Sequence, residues 1–535
     1  MEHLNAAPES ADTPAGDHSP RSHKSPSVNW AVLLPSATFI IILTIWGCLA
    51  PESAKTVLGA IASWIADGFG WFYVLLGAVV LFFMIGLAAS KYGHIRLGPN
   101  DSKPEFKTVT WTAMLFAVGI GTDLMYFAVA EPVTQYMSPP STEPQTVDAA
   151  REGIVWTMFH YGIVGWAMYA LMGVTLGIVA YRLGRPLIVR SSLYPVLGDK
   201  VNGKLGDAVD IAAVLATIFG VATTLGIGVS MVSVSLDVIF GIPRSLPIQL
   251  TIVALGVLVA TLSAVSGVKR GIRRLSEANV IAAVILTAWI VVTGKTQYLL
   301  EGLILNVGDF FRLFPNMIFQ TFAYEDTGSW MQDWTLFFWA WWVAWAAFVG
   351  LFVARISRGR TVRQVVAGTL IIPFCYIVMW VSIYGNSALD LIRSGNSDFA
   401  ETTVNDPPAG FFLLLTQYPG FLFIAGAATI TALLFYVTSA DSAALVMANL
   451  TSKLPDENSE AGTGTRIFWA LVTGALTLAM LGVGGIEALQ SATVIMGLPF
   501  SIVLIFVMIG LRKILRQEHE KTTEIQAAVE PHTIV

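Results

Sequence analysis

Charge is scarce in this chain: Asp, Glu, Lys and Arg make up 13% of its 535 residues, where a soluble globular domain carries about 25%. The net charge of −5 is small and no basic block stands out, which argues against a nucleic-acid partner. There are two cysteines, Cys48 and Cys375, each alone in an apolar run, so neither a disulfide framework nor a metal cluster is supported. HExxH, a Walker-type GxxxxGK[ST] and zinc-like His/Cys spacing are all missing, as is any pairing of nucleophile and base. An enzyme, a bound cofactor and an ATP-driven pump are therefore disfavoured. Residues 1–28 hold no apolar run and read as a disordered cytoplasmic tail, not a signal peptide.

What the chain has is hydrophobicity, 55% of residues, gathered into runs of about 20, the length that crosses a bilayer core. Twelve spans can be marked, near 29–50, 70–90, 109–137, 152–181, 207–240, 246–266, 276–294, 334–355, 363–388, 418–450, 466–484 and 491–511. The stretch Asn306–Tyr324, with Asp309, Arg312 and Pro315 among apolar residues, reads as an interfacial helix. Lys and Arg crowd alternate loops (Lys91 to Lys107, Arg182 to Lys204, Lys269 to Arg274, Arg355 to Arg363, Lys453 to Arg466 and Arg512 to Arg516). The opposite loops hold only Lys55, Arg151, Arg244, Lys295, Arg312 and Arg393. By the positive-inside rule both termini are cytoplasmic.

Two spans carry the marks of broken helices. The third has Gly119 and Gly121 just before an intramembrane Asp123, and the eighth has Ala346 to Gly350 after a run of tryptophans. Counted from each, spans 3–7 and 8–12 form two five-helix sets, whose odd number forces an inverted repeat. The predicted organisation is then a tail (1–28), two peripheral helices (29–106), a first repeat (107–294), a periplasmic interfacial helix and loop (295–332), a second repeat (333–511) and a short cytoplasmic tail (512–535).

The eighth span places Trp339, Trp341, Trp342 and Trp345 within seven residues, with no acidic residue from Leu336 to Arg360. Indole faces suit a cation that can be neither hydrogen-bonded nor deprotonated, while belt or packing tryptophans are the alternative. The fourth span adds Tyr161, Trp166 and Tyr169, with Gly162 and Gly165 expected to admit a neighbouring backbone. Each desolvated cation–π contact is worth up to about 2 kcal/mol, so three or four offset the desolvation of one bulky cation. Asp123 is the carboxylate deepest in an apolar run, at a cost of at least about 2.5 kcal/mol, and so a candidate ionic partner or proton carrier. Glu131 reads as helix-end chemistry and His160 as a packing residue. Thr438 and Ser439, like Thr223 and Thr224, offer oxygen ligands for sodium, although such hydroxyls also bond back within their own helix.

Taken together, GIGTD (Gly119–Asp123), AEP (Ala130–Pro132), FHY with Trp166 and Tyr169, WAWW followed by Trp345, ARISRGR (Ala354–Arg360) and TSADS (Thr438–Ser442) resemble the betaine/carnitine/choline transporter family. The resemblance covers about 30–511 and leans toward the family's bacterial choline carriers, which resemble proton symporters. It implies an all-α polytopic fold of twelve transmembrane helices: a LeuT-type 5+5 inverted repeat behind two extra helices, as a lipid-embedded homotrimer in the bacterial inner membrane. Tyr161, Trp166, Tyr169 and Trp342 match the box around a trimethylammonium group, and Trp341 and Trp345 match positions along the path. Tyr161 stands where sodium-coupled betaine carriers have Trp, and Asp123 where they have the third glycine of a Gly-x-Gly-x-Gly motif. Ala117, Ile120, Phe435, Thr438 and Ser439 match one sodium site, while Thr223, Thr224 and Phe348 lie near another. Ala346–Ala347 replaces the family's Ser-Pro. The implied activity is uptake of choline, an osmoprotectant precursor, with protons as coupling ion and sodium as the alternative. Rival readings are a sodium-coupled betaine carrier and a transport-incompetent quaternary-amine receptor. Only some 25 residues follow Leu511, so osmotic control through a long C-terminal domain is not expected.

Overall fold

The computed structural model describes residues 26–118, 121–266, 269–455 and 459–529. It is helical almost throughout, as a chain crossing hydrocarbon must be when its backbone groups need internal partners. Helix α1 (Trp30–Leu49) passes into α2 (Pro51–Ala89), whose Pro51 sits at the start where a missing N–H costs nothing. Next come α3 (Thr108–Val118), α4 (Thr122–Met137), α5 (Val147–His160) and α6 (Ile163–Leu183). A single turn, α7 (Tyr194–Leu197), precedes α8 (Lys204–Phe240), α9 (Leu246–Ser266), α10 (Lys269–Thr293) and α11 (Thr296–Met317). A π-helical turn, Gln332–Leu336, opens α12 (Phe337–Ile356). Then follow α13 (Val362–Arg393), the short α14 (Ser397–Asn405) and α15 (Pro407–Leu415), α16 (Phe421–Leu450) and α17 (Thr463–Val529), which bends at Gly484–Gly485. Ser27–Val28 pairs antiparallel with Ser452–Lys453, pinning the start of α1 to the end of α16.

Among the described residues, nine helical stretches are long and apolar enough to cross a membrane, or ten when the α10–α11 pair, bent by 116°, is counted as one. Two features depress that number below the twelve spans marked in the sequence. The third span is split into pieces of 11 and 16 residues. The last two share the 67 residues of α17, about 100 Å of helix or three core thicknesses.

The structure corrects three expectations. α12 runs unbroken through Ala346–Gly350. Alanine is the best helix former and nothing there removes an N–H. Gly350 has a packing role instead: a Cβ on it would meet Met172 Cβ at 2.4 Å, so it lets α12 lie directly on α6. Conversely, the fourth span is interrupted, since α5 ends at His160 and α6 begins at Ile163. At that corner a Cβ on Gly162 would meet the Met158 carbonyl oxygen at 2.3 Å. The interfacial helix starts at Thr296, ten residues before the expected Asn306, because the chain turns at Gly294 and not at the next polar residue. Beyond these three differences, the segment after Leu511, marked in the sequence only as a short tail, is helix to Val529.

The amphipathic α11 is tied to α5 by the Arg151 guanidinium, which donates to both Asp309 oxygens at 2.8 and 2.5 Å. Burial pushes the Asp309 carboxylate up, but Arg151 and Arg312 outweigh it and hold it below its ordinary range. A depressed folded-state value means that the pair's stabilisation is full above about pH 4 and is lost as pH falls through the lower folded value. Arg151→Ala is expected to lower the opening free energy of Thr296–Met317 by about 1 kcal/mol, since Arg151 is partly exposed and Arg312 remains. Hydrogen exchange of α11 at neutral pH checks this.

Candidate functional site

The central pair α6 and α12 places its aromatic residues face to face. Trp342 lies 5.2 Å from Tyr169, 5.8 Å from Tyr161 and 6.1 Å from Trp166, ring centre to ring centre, and Trp166 lies 5.3 Å from Tyr169. All four rings are buried. What makes the meeting possible is Gly165: a Cβ there would sit 2.2 Å from Trp342 Cδ2. The glycine expected to receive a neighbouring backbone thus receives an indole. Trp342 Nε1 donates to the His160 carbonyl at 2.7 Å, an oxygen freed because α5 ends there. Trp341 Nε1 donates to Gly220 O at 3.1 Å on α8, and its ring stands 6.4 Å from Tyr161. Trp345 packs on Phe348 at 4.8 Å, and Trp339 is wholly buried against Phe159 and His160.

A quaternary cation is held within about 6 Å of each ring centre. These rings already touch one another, edge to face except for the tilted Trp166–Trp342 pair, so a cation enters only as they part. Tyr161 Oη, Trp166 Nε1 and Trp345 Nε1 are buried without hydrogen-bond partners.

Asp123 sits in the first turn of α4, just after the break, where helix N-terminal dipoles favour a carboxylate. One oxygen accepts from Thr224 Oγ1 at 3.1 Å and the other is buried and unpartnered. Among the described residues no basic side chain stands within ion-pair distance. Asp123 stands one turn before Phe127, whose ring lies 5.7 Å from Tyr161, so it shares the face of α4 turned to the box. Gly119 and Ile120 lie outside the described residues. Ala117 is in the last turn of α3, and Gly121 is extended (φ −143°, ψ 171°).

The expected ion ligands divide. Thr122 Oγ1 donates to Ala432 O at 3.2 Å, joining α4 to α16 one turn before Phe435 and about two before Thr438 and Ser439. Thr438 Oγ1 donates to Leu434 O and Phe435 O of its own helix, at 2.8 and 3.1 Å. Phe435 is buried and Ser439 half-buried. Thr223 is engaged with Phe219 O, Leu489 O and Thr493 Oγ1, and only its neighbour Thr224 reaches Asp123. Asp441, from the same TSADS run, pairs with Arg466 at 3.4 Å.

Two groups were missed at the sequence level. Glu131 is not at a helix end: it is fully buried and pairs with His160 Nδ1 at 2.5 Å. Phe127 contacts Tyr161, Phe338 and Trp341, at 5.7, 5.0 and 6.0 Å. The signal for both is spacing, since Asp123, Phe127 and Glu131 stand at i, i+4 and i+8 on one face of α4.

A family model described as BCCT, betaine/carnitine/choline family transporter, matches residues 31–520. The high-affinity choline transport protein of Escherichia coli (strain K12) is 52% identical over 497 residues, covering 93% of this chain and 73% of that protein. The osmo-dependent choline transporter BetT2 of Acinetobacter baylyi (strain ATCC 33305 / BD413 / ADP1) is 50% identical over 508 residues, 95% of this chain and 74% of that one. The glycine betaine transporter of the same organism is 39% identical over 508 residues, with coverage of 94% and 75%. With the aromatic helices face to face and this extent of likeness, the chain belongs to the betaine/carnitine/choline transporter family, as a multi-pass membrane transporter and not an enzyme.

Proposed function

We propose that this chain imports choline across the bacterial inner membrane, driven by inward proton movement and working by alternating access. The observation that carries the reading is the four-ring box of Tyr161, Trp166, Tyr169 and Trp342 with the unpaired Asp123 carboxylate beside it. Choline carries an alcohol where betaine carries a carboxylate, so a fixed negative charge favours choline and repels betaine. Relatives named as choline transporters at 52% and 50% identity point the same way. The reading includes twelve spans in a LeuT-type arrangement, α3 to α10 against α12 to α17 behind α1 and α2. It includes cytoplasmic termini and a homotrimer among membrane lipids.

Sodium-coupled uptake of glycine betaine is the second reading, favoured by the hydroxyls of Thr438 and Ser439 on α16, the helix that Thr122 ties to the start of α4, and by the 39% identical relative of that name. Accumulation of labelled choline, betaine and carnitine in proteoliposomes, under an imposed proton or sodium gradient, separates the two. Choline accumulation that needs sodium and ignores the proton gradient would sink the first.

Trp342→Ala removes the ring shared by three of the four box contacts. The choline half-saturation concentration is expected to rise tenfold or more, about 1.4 kcal/mol, with expression unchanged. Uptake against choline concentration measures it.

A further inference from the structure

One cluster of buried titratable groups takes no part in the reading above. Glu131 on α4, His160 at the end of α5 and Thr335 in the π-helical turn before α12 form a polar chain. Glu131 Oε1 meets His160 Nδ1 at 2.5 Å, and His160 Nε2 meets Thr335 Oγ1 at 2.9 Å. Glu131 and His160 are wholly buried and Thr335 is nearly so. The imidazole is held between Phe338, parallel at 4.9 Å, and Trp156, stacked at 5.5 Å. The carbonyl of the same residue, His160, accepts the Trp342 indole N–H at 2.7 Å.

We propose that Glu131 and His160 are positioning residues for the aromatic box. Through the imidazole they clamp the end of α5 between α4 and the start of α12, and so fix the oxygen on which Trp342 is hung. Three facts converge on this. α5 stops at His160, so no next turn of helix holds that carbonyl in place. The residue after it, Tyr161, is a wall of the box, which makes the corner and the wall one rigid piece only if the corner is held. The chain ties α4 to the two elements that build the box, the α5–α6 corner and the start of α12, and each link is a hydrogen bond shielded from water.

This inference rests on the box being the substrate site, and the test separates the two. Protein with 15N-labelled tryptophan, in lipid nanodiscs and without ligand, gives an indole N–H resonance for Trp342, identified by its loss in Trp342→Phe. Glu131→Ala and His160→Gln are expected to shift that resonance. Glu131→Gln, which keeps an acceptor of the same shape, is expected to shift it least and guards against a variant that does not fold. Choline uptake supplies the second readout. Glu131→Ala is expected to raise the half-saturation concentration about tenfold with the maximal rate within about twofold. In a Trp342→Phe background the same change is expected to add less than about twofold. An unmoved indole resonance in all three variants overturns the proposal, as does an equal loss of affinity in both backgrounds. If choline is not the substrate, wild-type uptake is absent while the indole resonance still reports the clamp.

Discussion

Gly165→Ala is expected to abolish high-affinity uptake while leaving the protein folded. The added Cβ would fall 2.2, 2.4 and 2.5 Å from Cδ2, Cε2 and Cγ of Trp342, all atoms of one rigid ring. No rotation within the indole relieves that contact. α6 cannot retreat either, being buried along nearly its whole length. The indole must therefore leave its seat, breaking its bond to the His160 carbonyl and its contacts with Tyr169, Tyr161 and Trp166. Loss of one desolvated cation–π contact is about 2 kcal/mol, or thirtyfold in affinity, and the displaced ring now fills space the cation needs. The helix itself does not suffer, because alanine is favoured over glycine in a helix interior by about 1 kcal/mol. Choline uptake by Gly165→Ala, compared with Gly59→Ala, tests this, since a Cβ at Gly59 meets nothing within 4 Å. Normal affinity in Gly165→Ala would mean that Trp342 is not held where the box requires it.

The difference between Gly165 and its neighbours explains how far the sequence could be read. Ring residues announce themselves: Trp342 and the Tyr161, Trp166, Tyr169 set could be picked out by type and helical spacing. In the structure they meet. Their partner glycine was noticed for the wrong reason, because closeness at a glycine looks the same in sequence whether a backbone or an indole approaches. The helix corners were harder. The corner after His160 has no proline to mark it, only Gly162, whereas Ala346–Gly350 looked like a break by position and is continuous helix. A corner is set by what packs around it, and that is tertiary information. Glu131 shows the same limit. At the end of an apolar run next to Pro132 it resembles a helix-end residue, and only the approach of α5 to α4 turns it into a buried partner for His160. Its one legible trace was the face it shares with Asp123 and Phe127.

The second large effect is expected at Asp123. Asp123→Asn keeps the size of the side chain and an oxygen to accept from Thr224, which now holds one carboxylate oxygen at 3.1 Å. What it removes is the charge. At an effective dielectric near 20, a carboxylate a few ångströms from a fixed cation contributes a few kcal/mol, so choline half-saturation is expected to rise about a hundredfold. The coupling should fail as well. The oxygen not engaged by Thr224 is buried and unpartnered, a place where a proton can be bound from outside and released inside on the same cycle as the cation. An amide cannot do this, so an imposed proton gradient should no longer drive accumulation in Asp123→Asn. Asp123→Gly, like Asp123→Asn, removes the like-charge barrier to a betaine carboxylate, and it also removes the bulk of the side chain and the acceptor for Thr224. It is expected to narrow the preference for choline over betaine as well as to lose proton dependence. Uptake of both substrates by the two variants, with and without a proton gradient, measures each effect. Unchanged proton dependence together with unchanged substrate choice would remove Asp123 from both roles, and leave the aromatic box alone to account for recognition of the cation.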